Sequence, residues 1–255
     1  MITVITGASA GIGAAAATQL SRLGHTLVLV GRDAARLEAV AKGLSGPEPD
    51  VLTCDFASLD AVRELAATLR ERYNRIDVLV NNAGVMSSRR QVTGDGHELM
   101  FQVNHLSPFL LTHSLTDRVD KVVTTSSMAG RTGRLDPADL SRERRSWNGW
   151  LQYGDTKQAN MLFTVALAAR GVHATCFHPG VIRTGFAGDT GLMRFYLAIP
   201  GLAKSPETGA RTLVRLATTP AESGRYYVKA RPRRANADPG LAERLWEASL
   251  SALNG

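Results

Sequence analysis

Short β-branched runs alternate with helical apolar patterns along nearly the whole chain, the order that repeated βαβ units in a parallel sheet produce. The strand candidates are Ile2–Thr6, Thr26–Val30, Val51–Thr53, Ile76–Asn81, Val119–Thr125, His173–Phe177 and Arg225–Val228. Their near-continuous apolarity suits strands buried on both faces. Between them, Ala14–Leu23, Ala34–Leu44, Leu59–Tyr73, His97–His113, Leu151–Arg170, Pro206–Thr218 and Leu241–Leu253 carry apolar residues at three- and four-residue spacing, which predicts helices. The expected fold class is α/β, a doubly wound domain with a parallel sheet of about seven strands between helices.

At 255 residues, one large domain or two small ones would fit. No internal repeat, low-complexity tract or Pro/Gly/Ser linker marks a boundary, so a single domain over residues 1–255 is expected. A hydrophobic share of 44% with 21% charged residues excludes a disordered or fibrous chain. The two cysteines, Cys54 and Cys176, lie far apart in apolar runs, which excludes a disulfide framework or a cysteine metal site, and no metal is expected. No apolar run approaches a membrane span, and Met1-Ile2-Thr3-Val4-Ile5-Thr6 lacks the regions of a signal peptide, so a cytoplasmic protein without a membrane partner is expected. Two segments interrupt the alternation: Gly130–Gly149, polar and Arg-rich, and Thr184–Lys204, Gly-rich and then apolar. Long irregular segments in compact domains tend to be binding loops.

Directly after the first strand candidate comes Thr6-Gly7-Ala8-Ser9-Ala10-Gly11-Ile12-Gly13, followed by an Ala-rich helical pattern. Glycines let such a turn approach a pyrophosphate, and the free N–H groups at the helix start receive its charge. The second strand candidate ends Val30-Gly31-Arg32-Asp33. An acidic residue there would bond the ribose 2′-hydroxyl of NAD, whereas an arginine accommodates the 2′-phosphate of NADP. Arg32 therefore favours NADP(H), with NAD(H) possible, while Asp33 is equally well explained as a helix N-cap.

Tyr153-Gly154-Asp155-Thr156-Lys157 places a phenol and an ammonium at i and i+4, neighbours on one helix face. Bringing a phenol from about 10 to about 7 requires roughly 4 kcal/mol of preferential phenolate stabilisation. One cation about 4 Å away at an effective dielectric near 20 supplies roughly that much before desolvation is counted. Lys157 alone could thus nearly suffice to activate Tyr153, although Tyr-x-x-x-Lys by itself is usually an ordinary exposed helix pair and gains weight only from the motifs around it. Ser126-Ser127 ends the fifth strand candidate, at the carboxyl edge where open α/β sheets place their ligands.

These motifs together resemble the short-chain dehydrogenase/reductase family, over almost the whole chain, and so a Rossmann-type fold. The glycine run resembles T-G-x-x-x-G-x-G, and Asn81-Asn82-Ala83-Gly84 resembles the N-N-A-G that borders the adenosine. The resemblance implies cofactor contacts at Gly7, Ser9, Gly11, Ile12, Gly13, Asn82, Ala83 and Gly84, with Asp55 on the adenine. It also implies contacts from Pro179, Gly180 and Thr184 beside the nicotinamide. It implies a catalytic tetrad of Asn104, Ser127, Tyr153 and Lys157. Ser127 would polarise the carbonyl oxygen and Tyr153 would donate the proton. Lys157 would lower the tyrosine pKa and bond the nicotinamide ribose, and Asn104 would help hold a water in a proton relay. The bland reading of Asn104 is a buried residue that kinks its helix.

Ser127 and Tyr153 stand 26 positions apart because of the Gly130–Gly149 insertion. With Asn104-His105-Leu106, Lys157-Gln158-Ala159-Asn160 and His178-Pro179-Gly180-Val181, this resembles the retinol-dehydrogenase-like and WW-domain-oxidoreductase-like branch. Departures are Thr156, where relatives carry serine, and a shorter stretch between Thr112 and the fifth strand. The expected activity is carbonyl–alcohol interconversion on a lipophilic or secondary-metabolite-like small molecule, the last from apolar Gly191–Pro200. The resemblance also implies a homodimer or homotetramer built through the helices around Asn104 and Tyr153.

A non-catalytic dinucleotide sensor or scaffold is the competing reading, and the intact tetrad opposes it. The net charge of +7 raises a nucleic-acid binder, with clusters at Arg142/Arg144/Arg145 and Arg231/Arg233/Arg234. No aromatic-interleaved basic stripe accompanies them, so they read as solvated surface and no nucleic-acid partner is expected.

Overall fold

In the computed structural model the described residues are 1–182 and 204–254. They form one eight-stranded sheet in the order β3-β2-β1-β4-β5-β6-β7-β8. The strands are β1 (Ile2–Thr6), β2 (Thr26–Gly31), β3 (Asp50–Thr53), β4 (Val78–Asn81), β5 (Lys121–Thr125), β6 (His173–His178), β7 (Arg225–Val228) and β8 (Arg231–Arg233). Every pairing is parallel except β7 with β8. Strand order reverses between β1 and β4, which opens a crevice at their carboxyl ends.

Helices α1 (Gly11–Arg22), α2 (Ala34–Lys42) and α7 (Pro206–Thr218) cover one face, burying Leu20, Leu37, Leu213 and Leu216 against Ile5, Leu29 and Val123. The other face is covered by α3 (Leu59–Arg72), α4 (Leu99–Phe101), α5 (Ser107–Ser114), α6 (Gly149–Ala169) and α8 (Pro239–Asn254). Its core centres on Phe101, Phe109, Phe163 and Trp246. Both layers exist because the strands are apolar on both faces, as the sequence predicts.

Two features depart from the sequence-based expectation. The helix expected over His97–His113 is interrupted: Gln102–Leu106 form a π-helical turn between α4 and α5, with Asn104 at its centre. An eighth strand exists, β8, whose three residues are all exposed and include Pro232; proline suits such an edge because its missing N–H faces outward. The expected C-terminal helix, α8, packs along α6, with the Trp246 ring 4.8 Å from that of Phe109 and the Arg170 guanidinium 3.9 Å over Trp246. The helices through which the resemblance implies subunit pairing are thus covered on this side by the chain's own C-terminal helix. Among the described residues, no helix is long and apolar enough to cross a membrane.

Candidate active site

The carboxyl ends of β1, β4 and β5 are stitched together by side chains. Thr6 Oγ1 accepts from the Asn82 and Ala83 amides at 2.9 and 3.0 Å and donates to the Val80 carbonyl at 3.2 Å. Asn82 Nδ2 donates to the Thr6 carbonyl at 3.0 Å, and its Oδ1 accepts from Thr125 Oγ1 at 3.2 Å. Against this stitch the glycine run turns. Gly7 has φ +67°, and a Cβ there would lie 2.9 Å from Ala83 Cα. A Cβ at Gly13 would lie 2.2 Å from the Gly7 carbonyl oxygen, so only glycine allows the helix to start this close to the strand. Ala10 stands at the N-cap of α1 with no side-chain cap, and no acidic residue occupies the first turn. The amides around Gly11, Ile12 and Gly13 therefore present an uncapped positive helix end.

The residues expected from the sequence to meet the adenosine end of a cofactor occupy the same edge. Arg32 is exposed immediately after β2, and Ser9 Oγ would lie 3.6 Å from a Cβ on Gly31, which puts this hydroxyl beside the end of β2. Asp33 caps α2, accepting from the Arg36 amide at 3.0 Å and pairing with the Arg36 guanidinium at 3.1 Å. Asp55 is exposed after β3, with one carboxylate oxygen accepting from the Ala57 amide at 3.0 Å. Gly84 follows β4, while Pro179 and Gly180 follow β6, with Gly180 at φ +99°. Thr184 lies outside the described residues.

The second polar constellation forms where β5 meets α6. Lys157 is buried, its Nζ donating to the Thr125 carbonyl at 3.3 Å and lying 5.6 Å from the centroid of the Tyr153 ring. Ser127 hydrogen-bonds Tyr153, while its neighbour Ser126 is buried and donates to the Lys157 carbonyl at 2.7 Å. The serine pair thus divides: Ser126 fixes the helix and Ser127 faces the phenol. Asn160 Nδ2 also donates to the Thr125 carbonyl, at 3.1 Å.

Asn104 does not join that group by any hydrogen bond described. Its Oδ1 accepts from the Val85 amide at 2.7 Å, and its Nδ2 donates to the Val85 carbonyl at 2.9 Å and to Thr156 Oγ1 at 3.2 Å. The amide pins the loop after β4 and the middle of α6 to the π-turn, so it bridges elements as well as sitting in an irregular helix.

Electrostatics correct one expectation. Burial pushes the Tyr153 phenol up to about 12, and the Ser127 hydrogen bond acts against that shift. Burial also pushes the Lys157 ammonium down to about 8. The spacing argument, in which one cation brings the phenol near neutrality, omitted desolvation; with Nζ turned toward Thr125, desolvation wins.

Sequence reasoning missed Thr6 and Thr125 as organising groups, although Thr6 stands inside the quoted glycine run. It also misread two of the cluster Arg142/Arg144/Arg145 as solvated surface; only Arg144 is exposed. Arg142 is buried, pairing with Asp155 at 2.8 Å, and Arg145 pairs with Asp139 at 2.9 Å. The signal was there: an acidic residue between Tyr153 and Lys157 of a largely buried helix needs a cationic partner.

The sequence profile described as short chain dehydrogenase matches residues 1–194. The chain is 43% identical to a Streptomyces sp. strain C5 protein assigned as a daunorubicin C-13 ketoreductase, covering 98% of this chain and 91% of that one. It is 36% identical to human retinol dehydrogenase 13, covering 96% and 82% respectively. A crystal structure of an uncharacterised Mycobacterium paratuberculosis protein superposes with TM-score 0.81 at 32% identity, covering 99% of this chain and 93% of that one. A short chain dehydrogenase from Escherichia coli CFT073, solved in complex with NADPH, superposes with TM-score 0.71 at 26% identity, covering 89% and 95%.

Proposed function

This chain belongs to the short-chain dehydrogenase/reductase family, in its retinol-dehydrogenase-like branch, and is an oxidoreductase acting on CH–OH groups; we propose that it uses NADP(H) to interconvert a lipophilic ketone or aldehyde and its alcohol. The observation that carries the reading is the meeting of Ser127, Tyr153 and Lys157 at the carboxyl edge of the sheet that also holds the uncapped glycine turn.

The residues present fit a dinucleotide. At Gly7 and Gly13 a Cβ would fill the turn, and the α1 terminus offers unpaired amides to a pyrophosphate. Ser9 and Arg32 lie beside the end of β2, where a 2′-phosphate would sit, and the Escherichia coli relative at 26% identity was solved with NADPH. Asn82, Ala83, Gly84 and Asp55 would border the adenosine side, and Pro179 and Gly180 the nicotinamide. Bound NADPH supplies the hydride for the carbonyl carbon.

The protein's own groups manage the oxygen. Ser127 donates a hydrogen bond to the carbonyl oxygen, and Tyr153 transfers its phenolic proton to that oxygen as negative charge develops. With its pKa pushed up to about 12, Tyr153 is a protonated phenol throughout the neutral range, the form that reduction requires. Lys157, charged below about 8, stabilises the phenolate left behind and would donate to a ribose hydroxyl of the bound dinucleotide. Asn104 ties the π-turn to Thr156, the residue before Lys157 in α6.

Exposed apolar groups support a lipophilic substrate. Met128 follows Ser127, Val181 follows Gly180, and the Trp150 ring lies 6.2 Å from the Tyr153 ring; their exposures are 43%, 41% and 48%. Together with the assignment of one relative as a daunorubicin C-13 ketoreductase, this favours a bulky, lipophilic ketone. The test is NADPH consumption with 2-acetonaphthone and with acetone. Faster turnover of the aromatic ketone supports the reading, and equal rates or no turnover of either defeats it.

A further inference from the structure

The catalytic helix has a second polar face. Gln152, Asp155 and Gln158, at i, i+3 and i+6 of α6, are all buried, with exposures of 0, 1 and 3%. All three point into the inserted segment and away from the Tyr153–Lys157 stripe. Gln152 Nε2 donates to the Leu140 carbonyl at 3.1 Å and to Glu98 Oε2 at 2.9 Å. Gln158 Oε1 accepts from the Leu135 amide at 2.8 Å. Asp155 carries the densest set: Oδ1 accepts from the Arg134 amide at 2.8 Å, and Oδ2 takes the Arg142 guanidinium at 2.8 Å and that of Arg145 at 3.5 Å.

The clasp is under constraint. Arg142 is held at φ +48°, a left-handed conformation costly for a side-chain-bearing residue, and its side chain is only 8% exposed. Such a residue persists where its surroundings over-determine it. Here Asp155 binds two of its nitrogens, and its third reaches the Ser146 carbonyl at 3.2 Å. Asp139 completes the lock, accepting from the Glu143 amide at 2.7 Å and from Arg145 Nε at 2.9 Å.

The segment so clasped, Gly130–Gly149, begins three residues after Ser127 and ends at the first residue of the helix bearing Tyr153. Its two ends therefore adjoin the two groups that must meet on one carbonyl oxygen. We propose that Asp155 is a positioning residue: through Arg142, Arg145 and the Arg134 amide it holds the inserted segment against α6 and so keeps Ser127 in register with Tyr153. Asp155 touches no reacting atom. The proposal rests on the reading of Ser127 and Tyr153 as the reacting pair. It gives the insertion a task, that of setting the geometry of the oxygen site, where a misplacement of about 1 Å can cost about 100-fold in rate.

The test is Asp155→Asn in the full chain, read three ways: kcat with NADPH and 2-acetonaphthone, NADPH affinity by fluorescence, and amide hydrogen exchange. The expected result is a kcat lower by about 10- to 100-fold with NADPH affinity unchanged, and faster exchange across Ala129–Gly133. Because the single variant leaves Arg142 buried without its anion and could unfold, Asp155→Asn/Arg142→Gln is the second variant. It removes both charges, so stability returns while kcat stays low. Wild-type kcat in either variant overturns the proposal, as does a parallel loss of kcat and NADPH affinity. If the unaltered chain reduces no carbonyl, the functional reading fails by itself, and unchanged exchange at Ala129–Gly133 in Asp155→Asn then overturns the clasp.

Discussion

The Lys157 ammonium lies 5.6 Å from the centre of the Tyr153 ring and is anchored on the Thr125 carbonyl at 3.3 Å. A cation placed so stabilises a phenolate only while it is protonated, and burial holds its pKa down at about 8. Carbonyl reduction leaves negative charge on Tyr153, so reduction is expected to be level through neutral pH and to fall as pH rises past about 8. A pH–kcat profile checks this. In Lys157→Met the alkaline fall should vanish and kcat should drop by about 100-fold, within the usual range for a lost acid–base partner.

Arg32 is exposed at the end of β2 and Asp33 is already engaged in capping α2. A charge-assisted hydrogen bond contributes about 1.5–3 kcal/mol, so Arg32→Asp should weaken NADPH binding by roughly 10- to 100-fold. NADH binding should change little or improve. Isothermal titration with both cofactors measures the ratio, and equal losses for the two would remove Arg32 from cofactor selection.

Gly13 leaves no room for a methyl group, since a Cβ there would sit 2.2 Å from the Gly7 carbonyl oxygen. Gly13→Ala must push α1 away from β1. Overpacking of this kind costs about 1–3 kcal/mol, and the displaced amides should lower NADPH affinity by at least about tenfold. By contrast, a Cβ at Gly24 meets nothing, but φ there is +79°, so Gly24→Ala should lower stability slightly and leave NADPH affinity alone.

His105 is buried in the aromatic cluster beneath α8, its Nε2 2.9 Å from Ser249 Oγ, and burial pushes its pKa down to about 3. Unfolded, the same imidazole takes a proton near pH 6.5. Between those values the unfolded chain binds more protons, so stability declines as pH falls below about 6.5. From this group alone the loss between pH 7 and 5 is about 2 kcal/mol. Urea midpoints at the two pH values should differ clearly in the unaltered protein and by less in His105→Gln.

Much of this architecture is readable from residues in order. The first strand, the glycine turn and α7 fall where the apolar pattern and turn chemistry put them, since strands buried on both faces leave an unbroken β-branched signal. The π-turn at Asn104 leaves no such signal, because a widened turn within an apolar helix keeps nearly the same spacing. Strand β8 was hidden for two reasons. Arg231-Pro232-Arg233 has no apolar alternation, and the tight turn before it places Lys229 and Ala230 at φ +49° and +57°, where Asn-Gly would be the usual cue. At the site, spacing put Tyr153 beside Lys157 and the family motif singled out Ser127 from the serine pair, and the structure brings the three together. Neither spacing nor motif located the clasp, since whether an arginine is solvated or buried against Asp155 depends on how a loop returns to its helix.

The most direct test of the account is NADPH-dependent reduction of 2-acetonaphthone by Tyr153→Phe beside the unaltered protein, with NADPH binding measured on both. The phenyl ring keeps the packing beside Trp150 and removes the proton that reduction needs. The account predicts a kcat lower by about 1,000-fold or more with NADPH affinity retained. Turnover of Tyr153→Phe at the wild-type rate would contradict it.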